Sequence, residues 1–484
     1  MEPVFGLPLS IPARNSGERL QALHGQLRAA ILEGRLQPGL RLPSTRALAD
    51  SCGVSRNTAM AAYDLLLSEG YINARQGAGT YVADVLPDLT SRRVSRERHS
   101  SSDRRLSAFW RQSAETLNPV RPGPLRFDFR LGVPDIGYFP MDVWRRLSSR
   151  ALRAYAKTPL GYGDPHGRPA LREAIARYVS FARAVACQAD DITVTAGAQQ
   201  AFDLLARILV TPDRTVVAVE NPGYLPVRAV FAAAGAKIVP VPVDEEGLIV
   251  ERLPAGAGVV CVTPSHQFPL GSAMSARRRA ALLEFAHARG AVVIEDDYDA
   301  EFRFGGRSLD ALQTLDRTES VFYVGTFSKS LFPALRLGFA VVPPWARQAL
   351  GAAKRCADSH SAPLVQEALA AFITEGHLAR HVRRMRRVYG ARREALLSGL
   401  QSQFSRWLEP VPAVAGLHLA ALAKGSVDIQ ALAESAAERE VGVYPVDRFR
   451  VGKGGTPGLV FGYGALDERG IVAGLARLRR VFGR

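Results

Sequence analysis

Hydrophobic positions in the first 83 residues recur with a helical period in three short segments. Between residues 20 and 34, one helical face collects the apolar side chains Leu20, Leu23, Leu27, Ala30 and Ile31. Ser44 and Ser55 stand where the second and third helices would begin, as N-capping residues do. Two short apolar runs, YINAR and GTYVA, then flank glycines that permit a tight hairpin. Three helices followed by a hairpin predict a winged helix-turn-helix over residues 1–83.

The pattern changes over residues 84–124. The stretch SRRVSRERHSSSDRR is polar, charged and rich in serine, and scattered prolines follow it. Such a composition cannot bury enough apolar surface to fold by itself, so we expect a flexible linker. A solvated tether is favoured for its arginines, and contact with DNA phosphates is the alternative.

From residue 125 to 484, apolar strands alternate with amphipathic helices. ITVTAG precedes AQQAFDLLARIL, TVVAVE precedes LPVRAVFAAAG, and VVIEDD follows ALLEFAHARG. Strands separated by helical stretches predict βαβ units and a mostly parallel sheet. The fold class is therefore α/β, with the small N-terminal domain in front.

The composition of the chain indicates what kind of partner it binds and in which compartment it works. The chain has 484 residues and a formal net charge of +16, which favours a polyanionic partner, although an arginine-rich proteome would give the same balance. Four widely spaced cysteines form no metal-binding or disulfide pattern and fit a reducing interior: Cys52, Cys187, Cys261 and Cys356. No secretory signal pattern and no apolar run of membrane-spanning length is present, so we expect a cytoplasmic protein, without metal.

The segment GTFSKSLFPALRLGF, residues 325–339, carries the most specific chemistry. Lys329 is flanked by Thr326 and Ser328 and is followed by Arg336. A lysine that forms a Schiff base with a phosphate-bearing aldehyde needs hydroxyls and an arginine for the phosphate. Together with TAGAQQAF, TPSHQFPLG and EDDYDAEFRF, this segment resembles the cofactor site of fold-type-I aminotransferases, which use pyridoxal phosphate. The resemblance makes Lys329 the catalytic lysine.

The acids in VVIEDDY end an apolar strand, where the cleft of a parallel sheet opens. A protonated pyridine nitrogen requires a facing carboxylate. The family's spacing between aspartate and tyrosine favours Asp296 with Tyr298, whose hydroxyl would face the cofactor's phenolic oxygen. Asp297 is the competing assignment for the carboxylate.

Further contacts follow from the other motifs. TAGAQQAF turns from strand to helix at Gly197, so the amides of Ala198 and Gln199 would point at the phosphate. Tyr224 in ENPGY resembles the residue that stacks on the pyridine ring.

TPSHQFPLG lies where aminotransferases usually carry NPxG, with an asparagine reaching the phenolic oxygen. Phe268 replaces that asparagine here, so the contact is lost or comes from His266 or Gln267. His266 could equally be a loop histidine without contact to the cofactor.

Read with the N-terminal domain, the order of these motifs resembles the MocR subfamily of GntR-type transcription regulators. That resemblance implies a homodimer that binds pyridoxal phosphate, senses it alone or with an amine or amino acid, and binds operator DNA. It also implies a large fold-type-I transferase-like domain with a smaller C-terminal α/β subdomain.

One departure separates the chain from ordinary aminotransferases. In those enzymes, a strand near the C-terminus carries an arginine that holds the substrate α-carboxylate. The corresponding stretch here, GLVFGYGALDE, offers Val460 or a neighbour and no arginine. Arg448 and Arg450 lie upstream of a glycine-rich stretch. Without a bidentate clamp the amino acid would be poorly oriented, so we expect weak or no transamination. An active aminotransferase fused to a DNA-binding domain is the alternative, and a large domain kept only for dimerisation is a second.

The third predicted helix opens with residues that can hydrogen-bond to bases or phosphates: Ser55, Arg56, Asn57 and Thr58. Arg56 could bind guanine and Asn57 adenine in the major groove. Arg46 and the wing around Gln76 and Gly77 resemble DNA contacts of the GntR family, and Arg75 and Arg41 are expected to contact phosphates. A protein-interaction module is the alternative for this domain.

Overall fold

A computed structural model describes the chain over residues 9–12, 18–75, 78–84, 105–117, 125–157, 161–299, 301–305, 310–452 and 454–482. The chain divides into two compact units, Met1–Ser100 and Ser101–Arg484. Within the described residues, no helix combines the length and the apolar character that crossing a bilayer requires.

The first unit is a winged helix-turn-helix, as predicted. Ser44 accepts a hydrogen bond from the amide of Ala47, and Ser55 accepts one from the amide of Thr58, so each serine caps a helix. The apolar faces of the helices meet in one core. The elements are α1 (Arg19–Leu32), α2 (Thr45–Cys52), α3 (Arg56–Ser68), β1 (Ile72–Arg75) and β2 (Gly79–Val82), with β1 and β2 antiparallel.

The second unit begins inside the segment predicted to be a linker. Residues Ala108–Leu117 form helix α4, which packs against a later helix, Leu225–Ala233. Residues 85–104 and 118–124 of that segment lie outside the described residues.

Fourteen strands follow in the described part of the second unit. They are β3 (Phe127–Asp128), β4 (Ile192–Thr195), β5 (Val216–Asn221), β6 (Lys237–Asp244), β7 (Gly247–Leu248), β8 (Ala257–Val262), β9 (Val292–Asp297), β10 (Val321–Thr326), β11 (Gly338–Val341), β12 (Leu408–Pro410), β13 (His418–Ala423), β14 (Val441–Gly442), β15 (Tyr444–Pro445) and β16 (Gly458–Gly462).

The helices of the second unit lie between and after these strands. After α4 they are α5 (Met141–Tyr155), α6 (Pro169–Arg183), α7 (Ala198–Leu209), α8 (Leu225–Ala233), α9 (Ala276–Arg289), α10 (Leu312–Leu315), α11 (Arg347–Asp358), α12 (Pro363–Thr374), α13 (His377–Phe404), α14 (Ile429–Ala437) and α15 (Glu468–Phe482).

Eight strands form the large sheet in the order β4-β11-β10-β9-β8-β5-β6-β7. The pairs β10–β9, β9–β8, β8–β5 and β5–β6 are parallel, which confirms the mostly parallel sheet. Its central strands are almost continuously apolar because helices cover both faces. Parallel strands place the carboxyl ends of β9 and β10 at the same edge, where β9 ends in acids and β10 leads to Lys329.

A second, antiparallel sheet in the order β12-β13-β16-β15 packs with α13, α14 and α15 around its own apolar core. This is the smaller C-terminal α/β subdomain that the resemblance implied.

Candidate cofactor site and nucleic-acid interface

Lys329 lies in the loop that follows β10, and its side chain is partly buried. Its Nζ donates a hydrogen bond to the carbonyl oxygen of Gly132 over 2.7 Å. Burial lowers the pKa of Lys329, with a further lowering by Arg336, whereas Asp299 and Asp296 oppose the shift. A lysine in these surroundings is more readily neutral than one in water, which a nucleophilic amine requires.

Asp296 and Asp297 both end β9 and are both buried, but their surroundings differ. The Oδ2 of Asp297 accepts hydrogen bonds from Arg183 Nε at 2.7 Å and from the Tyr323 hydroxyl at 2.6 Å. The Oδ1 of Asp296 is buried without any hydrogen-bond partner. The Oδ1 of Asp297 is unpaired as well, so the difference is that Asp297 is held by the protein through Oδ2, whereas no hydrogen bond to Asp296 is found among the described residues.

Burial raises the pKa of Asp296 well above its ordinary value, and the neighbouring acids Asp297, Asp299 and Glu220 raise it further, against Lys329. A buried carboxylate in this position is costly unless a cation or a hydrogen-bond donor reaches it. The protonated pyridine nitrogen of pyridoxal phosphate is such a donor, so the site fits that cofactor at this point.

The residues predicted for the phosphate lie together beside Gly197. Arg336 Nη2 donates to the carbonyl oxygen of Ala196 over 2.6 Å, and a Cβ added to Gly197 would meet Nη2 at 3.0 Å. The Thr326 and Ser328 hydroxyls are hydrogen-bonded at 3.0 Å in the same loop as Lys329. Ala198 and Gln199 open α7, a twelve-residue helix, and the first amides of a helix have no partner within it. A cationic group, two hydroxyls and helix amides therefore lie in neighbouring segments, which is the set of donors that a phosphate requires.

Tyr298 is joined to His266 rather than to the solvent. Its hydroxyl donates to the main-chain oxygen of His266 at 3.0 Å and lies 2.9 Å from Nδ1 of the same residue. That Nδ1 is also 3.1 Å from Asp299, and the His418 ring packs 4.6 Å from the His266 ring. His266 is thus a buried member of a polar cluster, and its side chain contacts the residue predicted to face the phenolic oxygen.

Gln267, the other residue considered for that contact, is engaged elsewhere. Its Nε2 donates to the main-chain oxygen of Pro222 at 2.9 Å. Phe268, in the place of the usual asparagine, is wedged edge-on among the rings of Tyr224, His418 and Phe449. Tyr224 itself keeps 40 % of its surface exposed, although burial of its hydroxyl raises its pKa to about 12.

Sequence reasoning did not single out several residues of this site. Glu220, at the end of β5, accepts from the Thr263 hydroxyl at 2.5 Å, and burial raises its pKa to about 7. Asp299, His418 and Gly132 also belong to the site, as described above. Glu220 precedes ENPGY's asparagine and Asp299 lies in EDDYDAEFRF, so both were within reach of the motifs; Gly132 and His418 carried no local signal.

The strand predicted to lack the carboxylate-binding arginine does lack one. Val460 is fully buried in the middle of β16, opposite Ala420 and Tyr444. Arg450 is tied to Asp447 at 3.1 Å and to the Thr456 main-chain oxygen at 3.0 Å, in the loop before β16.

In the first unit, the start of α3 is open to partners. Ser55, Arg56 and Asn57 are exposed, and Thr58 is partly so. The Ser55 hydroxyl serves the helix cap and also lies 2.8 Å from the Thr58 hydroxyl.

Two of the other residues predicted to contact DNA lie on α2 and β1 of the same unit. Arg46 on α2 is exposed, and Arg75 at the end of β1 lies over the Tyr81 ring at 4.8 Å. Gln76 and Gly77 lie outside the described residues.

Family comparisons agree with both units. Residues 20–82 match the bacterial regulatory proteins of the gntR family, and residues 129–459 match aminotransferase class I and II. Among solved structures, LysN, an α-aminoadipate aminotransferase from Thermus thermophilus, has a TM-score of 0.67 and 30 % identity, covering 73 % of this chain and 91 % of that one.

Two relatives are similar along nearly their whole length. The probable rhizopine catabolism regulatory protein MocR of Rhizobium meliloti is 37 % identical over 95 % of this chain and 93 % of its own. The pyridoxine biosynthesis transcriptional regulator PdxR of Corynebacterium glutamicum is 33 % identical over 95 % and 93 %. The chain belongs to the MocR subfamily of GntR-type transcription regulators, in which a helix-turn-helix domain is joined to an aminotransferase class I and II domain.

Proposed function

We propose that this regulator uses its aminotransferase-like domain as a sensor that binds pyridoxal phosphate through Lys329. One observation carries this: Asp296 presents an unpaired, buried acceptor at the same sheet edge as a lysine of lowered pKa. The cofactor supplies an aldehyde for the amine and a protonated ring nitrogen for the carboxylate. Arg336, Thr326, Ser328 and the first amides of α7 would hold its phosphate, and Tyr224 would cover its ring.

Absorption spectroscopy tests this assignment. Protein incubated with pyridoxal phosphate should turn yellow, and borohydride followed by mass spectrometry should find the adduct on the peptide containing Lys329. A Lys329→Ala variant should stay colourless. The control is Lys354→Ala, which removes another lysine of lowered pKa and should still turn yellow. Colourless wild-type protein without an adduct would contradict the proposal.

The sensing step is proposed to change how the protein binds its operator. The cofactor, alone or with an amine or amino acid, would shift the equilibrium between conformations of the large domain in a cytoplasmic homodimer. Footprinting of the DNA upstream of the chain's own gene, with and without pyridoxal phosphate and added amines, measures this. Equal protection under all conditions would exclude ligand control, and an Arg56→Ala variant that still protects would exclude the proposed recognition helix.

An active aminotransferase is the second candidate, favoured by the similarity to LysN and by the retained Lys329. Against it stands Val460 in place of an arginine, which removes a bidentate hold on the substrate carboxylate. We therefore propose weak transamination at most. A single-turnover assay with common amino acids separates the candidates, because an enzyme would convert the bound cofactor to its amine form rapidly.

A further inference from the structure

Helix α13 carries a run of arginines that the cofactor site does not use. Seven arginines precede Glu394, the first acid of this helix. Three of them are held by the fold: Arg392 by Asp135, Arg393 by the Ala413 main-chain oxygen and Arg386 by the Glu301 main-chain oxygen. The other four are exposed and are called the α13 ridge: Arg380, Arg383, Arg384 and Arg387.

The α13 ridge occupies one face of the helix, because its members are three, four and seven residues apart. The opposite face is buried through Leu378, Val382, Met385 and Tyr389. Within the described residues none of the four arginines forms an ion pair with an acid. Arg384 lies over the Tyr138 ring at 4.8 Å, and Arg380 donates to the Glu375 main-chain oxygen.

This arrangement of like charges destabilises the helix. Like charges three and four residues apart repel, and the ridge contains four such pairs without an intervening acid. His381 adds no charge near neutral pH, since burial first and Arg384 second lower its pKa to about 4. The repulsion would be relieved by a polyanion that lies along the ridge.

A second row of arginines flanks the ridge. On α5, Arg146, Arg150 and Arg153 share a face at spacings of four and seven residues and are exposed. Arg150 pairs with Glu375, two residues before α13, while Tyr138, three residues before α5, contacts Arg384. α5 packs against α12, and these two side-chain contacts link it to α13, so the basic surface is broader than one helix.

We propose that the α13 ridge and the neighbouring row on α5 bind the phosphate backbone of double-stranded DNA, as a second contact besides the winged helix-turn-helix. The ridge spans eight residues, or about 10 Å of helix, which corresponds to about three phosphates of one strand at about 3.4 Å of rise along the duplex axis each. Guanidinium groups suit phosphate oxygens, and phosphate contacts add affinity without sequence preference. The inference rests on the DNA-binding part of the proposed function, which brings the polyanion to this chain.

Salt-dependent binding of the full-length protein to a labelled 60-bp duplex of random sequence tests this. The variant carries Arg→Gln at the four ridge positions. Each lost phosphate contact lowers the slope of log affinity against log salt concentration by about 0.9, so we expect a decrease of roughly 2–4. The matched control replaces four exposed arginines elsewhere: Arg214→Gln, Arg289→Gln, Arg317→Gln and Arg355→Gln.

The thermal midpoint of the ridge variant should stay the same or rise, since repulsion is removed, so weaker binding cannot come from unfolding. A four-position Arg→Lys variant should keep most of the slope. An unchanged slope in the Gln variant, or an equal loss in the control, overturns the proposal. The Gln variant is also titrated with polyglutamate. If it loses that binding while its slope for DNA is unchanged, the proposal is overturned in favour of an acidic protein partner. Wild-type protein that binds no DNA would instead refute the proposed function.

Discussion

Arg183 donates a hydrogen bond from Nε to Oδ2 of Asp297 over 2.7 Å, and both side chains are almost completely buried. Arg183 also donates to the Ser265 hydroxyl at 2.6 Å, next to His266. This pair connects α6, the end of β9 and the loop of the TPSHQFPLG motif. Asp297 is therefore held by the fold through Oδ2, whereas no hydrogen bond to its neighbour Asp296 is found among the described residues.

Substituting each aspartate by asparagine should separate these roles. Asp297→Asn removes the carboxylate charge that Arg183 Nε faces at 2.7 Å, and breaking a buried ion pair costs about 3–5 kcal/mol of unfolding free energy. Asp296→Asn should leave the apoprotein folded but weaken its binding of pyridoxal phosphate. Urea unfolding and spectrophotometric titration measure the two effects, and the reverse pattern would assign the cofactor to Asp297.

Asp296 should also make the stability of the apoprotein depend on pH. Its pKa is raised by burial and by neighbouring acids, so the folded state holds this proton more tightly than the unfolded state. Ionising Asp296 therefore lowers the free energy of unfolding as the pH rises above 3.8, the ordinary pKa of an aspartate. Asp296→Asn cannot ionise, so its apoprotein should be more stable than wild type at pH 7, and this gain should vanish towards pH 4. Thermal melts across that range would contradict the idea if the difference were constant.

The His266 and Asp299 pair should show energetic coupling. Both are almost fully buried, and His266→Ala would leave the Asp299 carboxylate without its imidazole. We expect a coupling energy of about 1–3 kcal/mol in a double-mutant cycle of His266→Ala and Asp299→Asn, the range found for residues in one network. Additive effects would show that the two residues act separately.

Arg336 should discriminate cofactors by their phosphate. Its guanidinium lies beside Gly197 at the start of α7, among the other predicted phosphate contacts. A hydrogen bond to a charged group contributes about 1.5–3 kcal/mol, so Arg336→Gln should weaken pyridoxal phosphate binding roughly 10- to 150-fold. Binding of pyridoxal, which lacks the phosphate, should not change. Arg214→Gln is the control, and equal losses for both ligands would mean that Arg336 acts on the fold.

What the sequence could predict depended on how local the determinant was. The caps at Ser44 and Ser55 and the strand–turn–helix at Gly197 are set by neighbouring residues, and they were visible in the pattern. The commitment of Asp297 depends on Arg183, which is distant along the chain, so the motif alone left both aspartates open. Likewise, the contact between Lys329 and Gly132 arises only when the large sheet brings remote loops together. The helix within residues 108–117 was hidden by the polar composition around it.

Ser55 offers a test that separates folding from DNA recognition in the first unit. Its hydroxyl accepts a hydrogen bond from the amide of Thr58 at 3.1 Å and so caps α3. The first turn of that helix carries the predicted base contacts. Ser55→Ala removes the cap and should cost about 1 kcal/mol of unfolding free energy. Ser55→Asp keeps a capping oxygen and suits the positive end of the helix, so stability should be retained or rise. The same carboxylate faces approaching phosphates, so Ser55→Asp should bind DNA more weakly than Ser55→Ala although it is the more stable variant. Anisotropy titrations and thermal melts of both variants measure this, and binding that simply follows stability would remove the start of α3 from the interface.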